Sequence, residues 1–150
     1  MIYQLLKLAH ILAAIVGVGP ALLYPILAHR IASQPERAEH WLILLNMAER
    51  CYNLAGMLLV ASGIGFLWLT DGFYLTQPWL WGAGLLLLID NQLERLLRVP
   101  TVAALQDMVT YGIRPASWRT ASRQLLIWAW CSTSLLTGVI TLMVMRPSLP

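Results

Sequence analysis

Between Lys7 and Pro25 the chain is apolar over a length that can cross a bilayer, with His10 set inside the run. An ionisable side chain within a membrane span marks a functional-site candidate, because burying it in hydrocarbon must be offset by a partner. At about 100° per residue around a helix axis, His10 shares a face with Ala13, Ala14, Gly17, Ala21 and Tyr24. The opposite face carries Leu5, Leu8, Leu12, Ile15, Leu22, Leu23 and Ile26. Bulky aliphatic side chains suit lipid and small ones suit close approach of another helix, so His10 is expected to point into the protein. Two readings stand open there: a histidine hydrogen-bonded to a neighbouring helix, or a contact to a ligand or cofactor.

Only 11% of the 150 residues are charged, against 59% hydrophobic, and the mean hydropathy is +0.67. Soluble domains carry about 25% charged residues, so a single membrane domain is the expected class. The net charge of +3 rests on 10 Lys and Arg, too few and too scattered for a nucleic-acid footprint. Cys51 and Cys131 lie in apolar segments and read as reduced packing residues, with no spacing that signals a disulfide. A basic residue before an apolar run resembles a signal peptide. Here, however, the run continues through Pro20 and Pro25 with no small-x-small cleavage site, so it reads as a retained helix.

A spanning helix needs about 20 residues, and four segments qualify: about 2–28, 50–69, 79–98 and 124–145. Pro20 and Pro25 should kink the inner half of the first, and internal packing must satisfy the carbonyls they free. The second helix is expected to begin near Pro35, with Ser33 as a cap, and to run to Thr70. Asp71-Gly72 and Gln77-Pro78 mark a turn, and Trp79 and Trp81 an interfacial aromatic pair. In the third helix Asp90, Glu94 and Arg98 recur at four-residue spacing on one face. They read either as an ion-pair ladder where the helix leaves the membrane or as part of a proton or substrate path. Val99 to Ser122 is amphipathic and punctuated by Pro100, Gly112 and Pro115, and is expected to lie at the inner surface. The fourth span carries a weakly polar patch, Ser132, Thr133, Ser134, Thr137 and Gly138, suited to hydrogen bonds across helices.

Arg30, Arg37, Arg50, Arg95, Arg98, Arg114, Arg119 and Arg123 belong to the first and third connections with their helix ends; the other side has Lys7 and Arg146. The positive-inside rule then puts both connections in the cytoplasm and both termini outside, in a cytoplasmic (inner) membrane, with His10 in the outer half.

The chain has no phosphate-binding glycine loop, Cys-x-x-Cys pair, His-Glu-x-x-His or recoverable Ser-His-Asp set. His29 and His40 fall on the inner side, away from His10, so no zinc or copper set assembles. Haem is easier to accommodate, since one axial imidazole suffices. Met57 and Met143 lie in the spans, although methionines there read mostly as core filler.

Lys7-x-x-His10-Ile11-x-Ala13, followed by Tyr24-Pro25, resembles the first helix of the HemJ-type protoporphyrinogen oxidases. Met47-x-x-Arg50-x-Tyr52 resembles the start of their second helix, and Met143-Val144-Met145-Arg146-Pro147 their basic-Pro ending. That ending is also similar to endings in an uncharacterised family of predicted integral membrane proteins, within a broader set that includes the CopD-like copper proteins. The resemblance implies four membrane helices and a first-helix histidine contacting haem b or a porphyrin. It carries over onto His10, as ligand to the iron, with Arg50 and Tyr52 beside it. The Lys and His of the HemJ third helix are replaced by Gly84 or Leu85 and the Asp90-Asn91 region, and the fourth-helix Asn-Glu-x-Pro is absent. The uncharacterised branch therefore fits better, and from it no enzymatic activity is inherited.

The expected fold is an all-α, integral membrane, antiparallel four-helix bundle forming one domain over 1–150. The expected function is haem b or porphyrin binding through His10, on a face shared with Gly17 and Tyr24. Arg50 is suited to a propionate through its planar fork, and Tyr52 lies nearby; no catalytic residue is assigned. About ten residues of helix rise, roughly 15 Å, separate the levels of His10 and Arg50, which leaves open whether they serve one site or two. The alternative is a structural accessory subunit of a larger membrane complex, with a homo-oligomer as another assembly; a transporter or copper-handling role comes third.

Overall fold

In the computed structural model, which describes residues 1–112 and 115–146, the chain is helical nearly throughout, with no strand among those residues. Arg114 of the charge bias and Pro147 of the basic-Pro ending lie outside the described residues. The first apolar run forms α1 (Ile2–Ala21) and α2 (Tyr24–Ser33), separated at Leu22-Leu23. The break has a covalent cause. Pro25 has no N–H to give the carbonyl of Ala21, four residues earlier. That carbonyl is satisfied from across the bundle, where Thr133 Oγ1 donates to it at 3.3 Å. The kink and the weakly polar patch of the last helix are thus two halves of one device.

A 3₁₀ turn, Pro35–Arg37, leads into α3 (Ala38–Leu69). Ser33 does not cap it. The Ser33 hydroxyl turns back to the His29 carbonyl at 2.9 Å, the local bond available to a serine in the last turn of a helix. Gly72, with φ +77°, takes the left-handed turn at the other end, and a 3₁₀ stretch, Phe73–Thr76, leads to α4 (Pro78–Leu93).

Two later boundaries differ from expectation. The helix does not stop near Pro100 but passes through one π turn, Glu94–Arg98, into α5 (Val99–Tyr111). Pro100 sits in the first turn of α5, and the wider turn before it absorbs the missing N–H. This segment is amphipathic as expected: Thr101, Val102 and Leu105 are buried where α5 packs on α6 (Pro115–Met145), while Ala103, Gln106, Asp107 and Thr110 are exposed. That last helix starts well before Gln124, and its first turns bury Trp118, Ala121 and Ser122.

The apolar face of α1 is exposed as expected at Leu5, Leu8, Leu12 and Ile15, while Ala13, Gly17 and Ala21 are buried. Between α1 and α3, Leu6 lies against Gly65, His10 against Ser62 and Gly17 against Ala55. Leu86 meets Gly138 in α6, and Thr101 meets Gln124. Residue numbers rise along one helix as they fall along its neighbour. The core is concentrated where α2, α3, α5 and α6 meet, around Tyr24, Ile31, Leu45, Leu105, Leu125 and Trp128. Cys51 and Cys131 are free thiols but exposed, so they are not packing residues.

Among the described residues three helical stretches are long and apolar enough to cross a membrane: Ile2–Ser33, Pro35–Leu69 and Ala116–Met145. The segment 79–98 is not one of them. Asp90, Glu94, Arg95 and Arg98 interrupt its apolar run.

Candidate functional site

Along α3 the inward face is written every three or four residues: Ala38, Leu42, Leu45, Glu49, Ala55 and Ser62 are buried, with Tyr52 and Leu59 half-buried between them. Helical phase therefore carries Glu49 inward, 3% exposed, among aliphatic side chains. Tyr52, three residues on, shares that face and is half-buried. From the facing α4 and its π turn come Asp90, 3% exposed, then Glu94 and Arg98, four residues apart. The π turn aims the guanidinium back at the core. Arg98 Nη2 donates to Glu94 Oε1 at 2.6 Å, and Arg98 Nε lies 3.3 Å from Glu49 Oε1. The second contact is an ion pair without the alignment of an N–H···O bond.

Around this ion triad sit polar groups from α2, α3 and α6. Tyr52 donates its hydroxyl to Asp90 Oδ2 at 2.9 Å, and Ser132 of α6 adjoins the same carboxylate. Tyr24 of α2 packs its ring on Trp128 with centroids 4.9 Å apart, and its hydroxyl faces Glu49. Trp128 also lies under the Arg98 guanidinium, 5.8 Å from ring to Cζ. Two glutamates thus share one guanidinium, and Asp90 lies beside them with no basic side chain within ion-pair reach among the described residues. Among the described residues Glu49 Oε2, Asp90 Oδ1, the Tyr24 hydroxyl and Trp128 Nε1 are buried without a hydrogen-bond partner. A buried unpaired polar atom costs roughly 1–3 kcal/mol, more where it is charged, so this is the least satisfied part of the fold.

A second, smaller polar contact lies near the other end of α1 and α3. His10 Nδ1 is 2.7 Å from Ser62 Oγ, and the imidazole meets Phe66 edge-on. Ser62 Oγ also lies within donor reach of the carbonyls of Leu58 and Leu59, at 2.7 and 3.0 Å. Its one proton thus has three acceptors within reach, and the hydroxyl can either accept from His10 Nδ1–H or donate to Nδ1. Beyond it Tyr3, Phe66, Tyr74 and Trp79 form an edge-to-face aromatic chain, with Arg146 over Trp79.

The sequence-derived residues therefore divide. Tyr24 and Tyr52 join the polar cluster around Arg98. His10 belongs to the other contact, 14 residues from Tyr24 and so about 20 Å along the helix. Gly17 lines no space: a Cβ there would meet the Ala55 Cβ at 2.8 Å. Arg50 is exposed on the outside of α3, on the face of Met47, Leu54 and Met57. Its neighbour Glu49 is the residue that sequence reasoning passed over. The signal was the helical phase shared by Leu42, Leu45 and Tyr52, which a local Met-x-x-Arg-x-Tyr match conceals. Asp90, Glu94 and Arg98 do share a face, but it points into the core, whereas Arg95 is exposed. Among the described residues no group of three or more His, Cys, Asp or Glu side chains could hold a metal ion.

The family model for Predicted integral membrane protein (DUF2269) matches residues 4–147, and the chain belongs to that family. No curated protein and no solved structure matches it.

Proposed function

We propose that this chain is a four-span inner-membrane protein whose working centre is a proton-holding site built on Glu49, Asp90, Glu94 and Arg98. Its spans run antiparallel, the third crossing through 79–98, with both termini outside. The observation that carries the reading is the burial of Glu49 and Asp90, with Glu49 Oε2 and Asp90 Oδ1 unpartnered, in a cluster whose single guanidinium is already shared by Glu49 and Glu94. Three carboxylates and one guanidinium leave two excess negative charges, and uncompensated charge in hydrocarbon is too costly to keep, so at least one of the two is neutralised by a proton held on Glu49 or Asp90. Tyr52, Ser132 and Tyr24 surround those carboxylates with hydroxyls that can pass a proton or steady one. The test uses neutral isosteres of the protonated acids. Glu49→Gln and Asp90→Asn should insert, and at least one should keep near wild-type thermal stability in detergent, as an acid already neutral would. Strong destabilisation by both would show that each carboxylate works as an anion and would end the proposal.

A second reading keeps the haem or porphyrin at His10, and with it a relationship to the HemJ- and CopD-like proteins suggested by the shared short motifs. What favours it is Ser62, 2.7 Å from His10 Nδ1: a hydroxyl accepting from Nδ1–H would leave Nε2 in the form that binds a metal. The small-residue stripe does not fit a porphyrin, because Gly17 and Ala55 are already in contact. Arg50 does not fit as its propionate partner either. It lies 12 residues from Ser62 along α3, about 18 Å. A ring on His10 would have to lie at the shallow groove beside Leu6, Ala9, Leu58 and Ala61. Protein purified from haem-sufficient cells should then show a Soret band lost in His10→Ala; a band absent from the wild type would remove this reading. The accessory-subunit reading draws on Gly56, Gly63 and Gly84, where a Cβ would meet open space; its test is a membrane partner that co-purifies.

A further inference from the structure

Where Pro25 breaks the first span, a groove of about 640 Å³ lies between α2 and α6. Its walls are apolar. Leu22, Ile26 and Trp130 are about half exposed or more along its length, with Leu126 among the lining side chains. One end is different: His29 and Arg30, the last basic pair of α2, stand exposed at the groove. Arg30 has no carboxylate within ion-pair reach among the described residues. The Trp41 ring, 5.9 Å from its guanidinium carbon, backs it from the other side. Leu22 and Arg30 are eight residues apart, about 12 Å of helix. The groove therefore offers a cation and an imidazole at one end and a hydrocarbon-lined channel leading away from them.

We infer that this groove binds an anionic phospholipid, its phosphate at Arg30 and His29 and one acyl chain along Leu22, Ile26 and Trp130. Basic pockets between membrane helices recognise lipid headgroups through charge and hydrogen bonds, while the chain supplies apolar burial. Guanidinium suits the phosphate because its planar fork can donate twice. A lipid suits the groove better than free phosphate, since most of the lining is apolar and contacts only a chain.

Native mass spectrometry of the full chain, with phosphatidylglycerol and phosphatidylcholine of identical acyl chains, tests this. Phosphatidylglycerol should be retained at least about tenfold better. Arg30→Gln should lose roughly that factor, the worth of one charge-assisted hydrogen bond. Ile26→Trp, which fills the channel, should also lose it. Arg37→Gln, exposed on the same side but outside the groove, should leave binding unchanged, and excess inorganic phosphate should not displace the lipid. Equal retention of the two lipids by the wild type would overturn the inference. So would an equal loss in Arg37→Gln, which is general attraction to a basic face, or displacement by phosphate, which makes the site one for the anion alone.

Discussion

Arg98 faces two glutamates, so deleting it and deleting one of them are unequal changes. Arg98→Leu strands Glu49 and Glu94 without their counter-charge and should cost about 3–5 kcal/mol of stability, the usual penalty for breaking a buried pair from one side. Adding Glu49→Gln to Arg98→Leu should recover part of that loss. Additive losses in unfolding measurements would mean that the two side chains are not coupled. Glycines offer a simpler contrast. Gly17→Leu drives a side chain into Ala55 and should cost about 1–3 kcal/mol. Gly56→Ala meets nothing within 4 Å and should be neutral or slightly stabilising, because alanine is the better helix former by about 1 kcal/mol. Thermal shifts of the two variants in one detergent compare them directly.

At the scale of elements, Pro25 and Thr133 make a prediction together. Thr133→Val leaves the Ala21 carbonyl without its donor and should cost about 1–2 kcal/mol. In a Pro25→Ala background the backbone N–H returns to that carbonyl, and the same Thr133→Val change should cost much less. Equal costs in the two backgrounds would mean that the threonine is not answering the proline. Much of this was legible in the sequence, because a proline names the carbonyl it frees and a polar patch on an apolar helix needs a use. The inward face of α1 was legible for the same reason: small and bulky residues separate cleanly around it. The passage through Pro100 was not. A π turn has no residue signature, and whether a proline stops a helix or sits in its first turn depends on packing, here of α5 on α6. Glu49 was hidden because phase, not local motif, decides which of two adjacent charged residues turns inward. The Glu49–Arg98 contact, between residues far apart in sequence, needed the tertiary fold.

For the whole molecule, the proposed orientation follows from the distribution of Lys and Arg and predicts the ion cluster in the cytoplasmic half and His10 in the outer half. Reporter fusions after Gln34 and after Ser117 should read as cytoplasmic, and one after Pro150 as external. A cytoplasmic C-terminus would remove the 79–98 crossing from the account. The central claim, that the buried carboxylates hold a proton, is reached most directly by infrared difference spectroscopy of the protein in lipid nanodiscs, titrated across neutral pH. The account predicts the carbonyl band of a protonated carboxylic acid, lost in either Glu49→Gln or Asp90→Asn and kept in Glu94→Gln, whose parent carboxylate is bonded to Arg98. A spectrum showing only ionised carboxylates in the wild type, at every pH where the protein stays folded, would contradict it.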